Sequence, residues 1–119
     1  MPARPALLPL LPVATTLIAA LAACSGGSVK QTVDVSVTGS ACDLGSTTLD
    51  AGKTAFDVKN SSGKEAEAYV YTAGGDKVDE VEGIADGTSR TLTVSLDAGK
   101  YEFACKPEGD DVRTSFTVR

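Results

Sequence analysis

The chain has 119 residues, a formal net charge of −5 and no histidine. This length suits one small domain. An acidic chain without a basic run is a poor partner for nucleic acid or anionic lipid headgroups. Without histidine the usual hydrolase triads are excluded, and no glycine-rich phosphate loop follows a strand, so the sequence does not predict an enzyme.

The first 23 residues have the pattern of an export signal. One charged side chain, Arg4, precedes a long apolar run that ends in Leu21-Ala22-Ala23, directly before Cys24. A weakly basic start, an apolar middle and small residues at the cleavage site are typical of such signals. Leu-Ala-Ala-Cys resembles a bacterial lipobox, which implies cleavage before Cys24 and lipidation of its thiol. The alternative is a transmembrane anchor, but the run contains prolines and is short for a span of about 20 residues.

Removal of residues 1–23 leaves 96 residues. The small, polar residues 24–30 predict a flexible tether, and residues 31–119 predict the folded domain. We expect the protein on the extracytoplasmic face of the cell membrane, held there by the lipid on Cys24.

Short alternating segments predict an all-β fold. Strands are predicted where apolar residues occupy every second position, in 33–37, 54–58, 67–72, 89–96, 101–105 and the closing segment to 119, with a strand edge at 47–49. Residues 39–45, which contain Cys42, break the pattern. Residues 77–87 have no clear period and predict an irregular crossover or a short helical turn. Closely spaced turns and the lack of a convincing long helix favour a Greek-key antiparallel β-sandwich.

Tyr101 follows a Leu-x-x-Gly turn. A tyrosine in that position often donates its hydroxyl back across a Greek-key corner. We therefore predict such a hydrogen bond at the turn before the 101–105 strand.

The segment Tyr101-x-Phe103-x-Cys105, followed by a Pro/Gly loop, resembles the cupredoxins. In that family this cysteine binds copper together with histidines, one of them shortly after it in the loop. Glu67 stands near the place of the first histidine, and Glu108 stands where many members carry Cys-x-x-His. A blue-copper centre needs two imidazoles beside the thiolate. Because the chain has no histidine, a type-1 copper site is not expected.

A closer resemblance is to the cupredoxin-like domain at the start of EfeO-type iron-transport proteins. It is carried by the 33–37 strand, Cys42, the 50–56 turn and strand, Asn60 with Glu67, the 82–87 segment, and Gly99-Lys100-Tyr101 with Cys105. In that family two cysteines and two glutamates are implicated in binding copper or iron. The resemblance places them on Cys42, Glu67, Glu82 and Cys105, and the cupredoxin comparison adds Glu108 as a further candidate.

The lipobox implies a lipid anchor, and the resemblance to EfeO-type domains implies that the protein binds iron or copper, with a membrane iron permease or a peroxidase as its partner. Glutamates suit Fe(III), whereas thiolates suit Cu(I). In an oxidising compartment, however, Cys42 and Cys105 favour a disulfide over a reduced metal-binding pair, and it would stabilise the fold by about 4 kcal/mol. Oxidised sulfurs are not strong ligands. The alternative function is therefore a disulfide-stapled envelope sandwich that acts as a protein-interaction module without metal.

Overall fold

The computed structural model describes residues 2–3 and 27–119, in which nine strands and no helix are found. Cys24 and almost all of the predicted export signal lie outside these residues. Within the described ranges no helix is long and apolar enough to cross a membrane. The strands are β1 (Gln31–Val37), β2 (Cys42–Leu44), β3 (Thr48–Leu49), β4 (Gly52–Asn60), β5 (Ala66–Thr72), β6 (Lys77–Ile84), β7 (Ser89–Leu96), β8 (Gly99–Pro107) and β9 (Val112–Val118).

The strands form two sheets that pack face to face. The first sheet has the order β2-β1-β4-β7, and the second has the order β3-β9-β8-β5-β6. The predicted cupredoxin-like sandwich is confirmed. Its sheets are mixed, because β1 pairs with β4, and β3 with β9, in parallel. Between β2 and β4 the chain crosses to the second sheet, where it forms β3. It then returns to the first sheet, and β4 runs in the same direction as β1.

The core lies between the sheets and follows from the alternation along each strand. In β1, Val33, Val35 and Val37 are buried, while the residues between them are exposed. Phe56 is fully buried, and its ring centroid lies 5.0 Å from that of Phe103. Burying one such aromatic side chain contributes about 1.5–3 kcal/mol.

Residues 77–87 differ from the sequence prediction, because most of them form the edge strand β6. Glu82 and Gly83 both lie opposite the single residue Glu67, since Ala66 pairs with Ile84 and Ala68 pairs with Val81. The positive φ of Gly83, 66°, suits this β-bulge. A second register shift occurs beside Val70. Each bulge moves the alternation by one residue, which is why the sequence shows no period of two here.

The predicted corner at Tyr101 is confirmed. The Tyr101 hydroxyl donates to the carbonyl oxygen of Asp97 at 2.8 Å. Its ring stacks on that of Phe116, with the centroids 5.3 Å apart. This corner carries the chain from β7 in the first sheet to β8 in the second, and so positions the strand that bears Cys105.

Candidate metal site

Cys42 and Cys105 form a disulfide that links the two sheets. Their α-carbons are 5.5 Å apart, and the residues are 2% and 0% exposed. Cys42 opens β2, a strand of only three residues that the sequence pattern does not reveal, and Cys105 lies near the end of β8. Since neither sulfur is a thiolate, neither is a strong metal ligand in this state.

Glu67 and Glu82 lie together on the outer face of the second sheet. On β5, Ala66 and Ala68 are buried, so Glu67 and Tyr69 face outward. The Tyr69 hydroxyl donates to Glu67 Oε2 at 2.5 Å and lies 3.5 Å from Glu82 Oε1. One phenol oxygen therefore joins carboxylates from two neighbouring strands.

The structure does not bring the four predicted ligands to one point. Cys105 pairs across the sheet with Ala68, and both are buried. Glu67 is the next residue along β5, so its side chain leaves the opposite face of the sheet. In residues 2–3 and 27–119, no group of three or more Cys, Asp or Glu residues is arranged so that it could hold a metal ion. The predicted set is thus split into a buried sulfur pair and an outer carboxylate pair.

Negative charge is concentrated around the carboxylate pair. Hydrogen bonding to the Glu80 carboxyl, together with the negative charges of Glu80 and Glu67, raises the pKa of Glu82. A hydrogen bond from Lys77, whose Nζ lies 2.6 Å from Glu80 Oε1, lowers the pKa of Glu80. The hydrogen bond to Glu67 raises the pKa of Tyr69. The raised pKa values mean that Glu82 and Tyr69 each hold their proton more tightly than usual.

Sequence reasoning missed two members of this cluster. Tyr69 lies two residues from Glu67, so simple alternation along β5 already places both on one face. Glu80 pairs directly with Tyr69, but only across the bulged β5–β6 register. That register is a tertiary feature, and no sequence signal fixed it. Lys106 also contacts this cluster, because its Nζ lies over the Tyr69 ring, 4.3 Å from the ring centroid.

Glu108, the further candidate, lies in the loop between β8 and β9. Its backbone N–H donates to the carbonyl oxygen of Glu65 at 3.1 Å. Both residues line an open cleft of about 680 Å³ together with Glu67, Lys106, Pro107 and the loop residues 109–111. Glu108 therefore borders the same acidic end of the sandwich as the carboxylate pair.

The residues do not fit a blue-copper centre. That centre requires two imidazoles and a thiolate. The chain has no histidine, and the sulfur of Cys105 is bonded to Cys42. The donors at the surface are carboxylate and phenol oxygens instead.

A two-sheet sandwich with a disulfide between its sheets and no histidine has the architecture of a cupredoxin-like protein without the imidazole ligands of type-1 copper. The sequence model of the cupredoxin-like domain matches residues 11–118, so the chain belongs to this family. Auracyanin B superposes with a TM-score of 0.61 at 16% identity, covering 80% of this chain and 95% of auracyanin B. Dithionite-reduced auracyanin from Roseiflexus castenholzii gives 0.56 at 13% identity, covering 78% and 99%. At these identities the likeness shows the fold.

The relatives by sequence include the iron uptake system component EfeO. The proteins from Escherichia coli K12 and Shigella flexneri are each 38% identical over 73 residues, which cover 61% of this chain. The matched segment covers 19% of the length of each relative. The expected resemblance to an EfeO-type cupredoxin-like domain is thereby confirmed.

Proposed function

We propose that this chain is a lipid-anchored, extracytoplasmic cupredoxin-like protein that binds a metal ion for an iron uptake system. The observation that carries the proposal is the Glu67–Tyr69–Glu82 cluster, on a chain that is 38% identical over 73 residues to an iron uptake component. We propose the role of a carrier and not of an enzyme. A membrane permease or a peroxidase is the proposed recipient of the ion.

The chemistry of the cluster favours iron(III) as the cargo, with copper(II) as the second choice. Carboxylate oxygens are hard donors that suit highly charged cations. Hydrogen bonding to Glu80 and the negative charges of Glu80 and Glu67 raise the pKa of Glu82, and a cation beside Glu82 would offset those charges. An exposed site of this kind exchanges its ion readily, which suits transfer to a partner. Cys42 and Cys105 then stabilise the sandwich and do not ligate the ion.

Exchanging Glu67 or Glu82 for glutamine should weaken the binding of iron(III), supplied as its citrate complex, at least about tenfold, or ~1.4 kcal/mol. Each exchange keeps the side-chain volume but removes one anionic ligand. Isothermal titration calorimetry on the oxidised protein measures the loss. Tyr69→Phe tests the phenol oxygen in the same way.

The matched control for these exchanges is Glu102→Gln. Glu102 is a partly exposed glutamate on the same sheet, paired with Arg113 at 3.1 Å. The Glu102→Gln protein should bind iron(III) with the same affinity as the wild type. Equal affinities for the wild type, Glu67→Gln and Glu82→Gln would eliminate the carboxylate site.

Replacing Cys24 with serine should move the protein from the membrane fraction to the soluble extracytoplasmic fraction, because the lipidated thiol is lost. Fractionation of cells expressing the full chain measures this, and Cys42→Ser is the control that retains the anchor. A Cys24→Ser protein that stays with the membrane would contradict lipid anchoring.

A protein-interaction module without metal is the second candidate function. The buried Cys42–Cys105 disulfide favours it, since it removes both thiolates from the predicted ligand set. Wild-type protein that takes up neither iron nor copper, in oxidised or reduced form, would support this second function over the first.

A further inference from the structure

The two carboxylates of the outer pair are carried by strands of unequal regularity. Glu67 lies in β5, which pairs with β6 on one side and with β8 on the other. Glu82 lies in the edge strand β6, at the bulge, where Glu82 and Gly83 together face the one residue Glu67. A bulge disrupts the backbone ladder and leaves its extra residue unpaired. Pairing within the second sheet therefore fixes the backbone of Glu67 more firmly than that of Glu82.

The first sheet supplies two hydrogen bonds that hold the bulge from outside the second sheet. The Arg90 guanidinium, on β7, donates to the carbonyl oxygen of Glu82 at 2.6 Å. The side-chain amide of Asn60, on β4, donates to the carbonyl oxygen of Ile84 at 2.8 Å. These two carbonyl groups lie on either side of Gly83, whose positive φ of 66° accompanies the bulge. Arg90 thus holds the bulge on the side that carries the Glu82 carboxylate.

The Arg90 guanidinium lies close to the bulge itself. Its Nη1 is the atom that donates to the Glu82 carbonyl oxygen, and a β-carbon at Gly83 would lie 3.9 Å from this nitrogen. A hydrogen bond with an ionised donor is shorter and stronger than one between neutral groups. The ion pairs found in residues 2–3 and 27–119 join other side chains. Arg90 therefore directs its charge to the backbone of Glu82.

The position of the Glu82 carboxylate depends on this backbone. Glu82 Oε1 lies 3.5 Å from the Tyr69 hydroxyl, and the same hydroxyl donates to Glu67 Oε2. Groups that bind a ligand together must be held within about 0.5 Å of their productive positions. An ion shared by Glu67 and Glu82 therefore needs a fixed backbone at the bulge of β6.

We propose that Arg90 is a positioning residue for the carboxylate pair. Its guanidinium reaches from the first sheet to the Glu82 carbonyl oxygen, fixes the bulge of β6 and so holds the Glu82 carboxylate beside Glu67. Arg90 does not touch the ion. The inference rests on the proposed function, because it assumes that Glu67 and Glu82 bind the metal.

Arg90→Gln tests the proposal by the sign of its effect. The exchange removes a positive charge near an acidic cluster, so on charge alone it should tighten the binding of a cation. We expect the opposite: the affinity for iron(III), supplied as its citrate complex, should fall at least about threefold, because partners that orient metal ligands contribute to metal affinity. Isothermal titration calorimetry on the oxidised full chain measures the change. Arg90 is exposed, so the variant should remain folded.

The matched control is Lys59→Gln. Lys59 is an exposed lysine of the first sheet, where it pairs with Ser89, the residue before Arg90, and its exchange makes the same change in charge. The Lys59→Gln protein should bind iron(III) at least as tightly as the wild type. An Arg90→Gln protein that binds iron(III) as tightly as Lys59→Gln would overturn the proposal.

A double-mutant cycle separates positioning of Glu82 from any other role of Arg90. In the Glu82→Gln background, Arg90→Gln should change the iron(III) affinity no more than Lys59→Gln does, because no carboxylate is left to position. Additive losses would overturn the proposal. An unchanged affinity in Glu82→Gln alone would remove the proposed metal site, and the role of Arg90 with it. A loss in Glu82→Gln without a loss in Arg90→Gln would remove only the role of Arg90.

Discussion

Replacing Cys42 and Cys105 together with alanine should lower the free energy of unfolding by about 4 kcal/mol. The two cysteines are 63 residues apart in sequence, so the disulfide restricts the greater part of the unfolded domain. It also joins β2 in one sheet to β8 in the other, at a buried position. Domains of this size have a total stability of only about 5–15 kcal/mol, so the loss is a large fraction.

Urea denaturation of the wild type and the double variant measures this difference. A reducing agent should destabilise the wild type by a similar amount and leave the Cys42→Ala/Cys105→Ala protein unchanged. This comparison separates loss of the crosslink from other effects of the two exchanges. A double variant within about 1 kcal/mol of the wild type would show that the crosslink contributes little.

Asn60→Ala should lower the free energy of unfolding by about 3 kcal/mol, because the buried Asn60 side chain hydrogen-bonds two segments at the acidic end of the sandwich. It is fully buried, and its Nδ2 donates to the carbonyl oxygens of Lys64 at 2.6 Å and Ile84 at 2.8 Å. Its Oδ1 accepts from the N–H of Ser62 at 3.0 Å. Alanine would leave these partners without Asn60 and would release the end of β6 that carries Glu82.

Chemical denaturation gives the stability change, and amide hydrogen exchange at residues 82–88 reports the loosening of β6. Ser62→Ala is the control, because it retains both bonds from Asn60 Nδ2 to the carbonyl oxygens and should cost less than about 1 kcal/mol. If Asn60→Ala lowered the free energy of unfolding no more than Ser62→Ala does, the buried hydrogen bonds of Asn60 would not stabilise the fold as argued.

Alternation in the sequence was sufficient to predict the sandwich, because most strands keep one face in the core. The valines of β1 and the corner at Tyr101 are examples in which local pattern and final structure agree. The pattern failed at 77–87, where two bulges shift the alternation of β6. It also failed at Cys42, because a strand of three residues is too short to show a period.

The candidate site was only partly predictable. A family resemblance identifies candidate residues, but it does not show on which face of the sheet each side chain lies. Glu67 and Cys105 come from neighbouring strands, yet the register that pairs Cys105 with Ala68 sends their side chains to opposite faces. A one-residue change in register would reverse this relation. The pairing of Tyr69 with Glu80 depends on the same kind of tertiary register.

The fold and its usual chemistry are separable in this chain. β8 presents Cys105, which is one half of a disulfide. The oxygen donors lie outside the sandwich, on β5 and β6. Family membership therefore fixes the architecture, while the site decides the chemistry.

X-ray absorption at the metal edge, on oxidised protein loaded with iron(III) or copper(II), is the most direct test of the proposal that surface carboxylates and not the cysteines bind the metal. We predict a first coordination shell of light atoms alone, lost in the Glu67→Gln/Glu82→Gln double variant. A sulfur atom bonded to the metal in the wild-type protein would contradict it, because the metal would then be bound by Cys42 or Cys105 and not by the carboxylates.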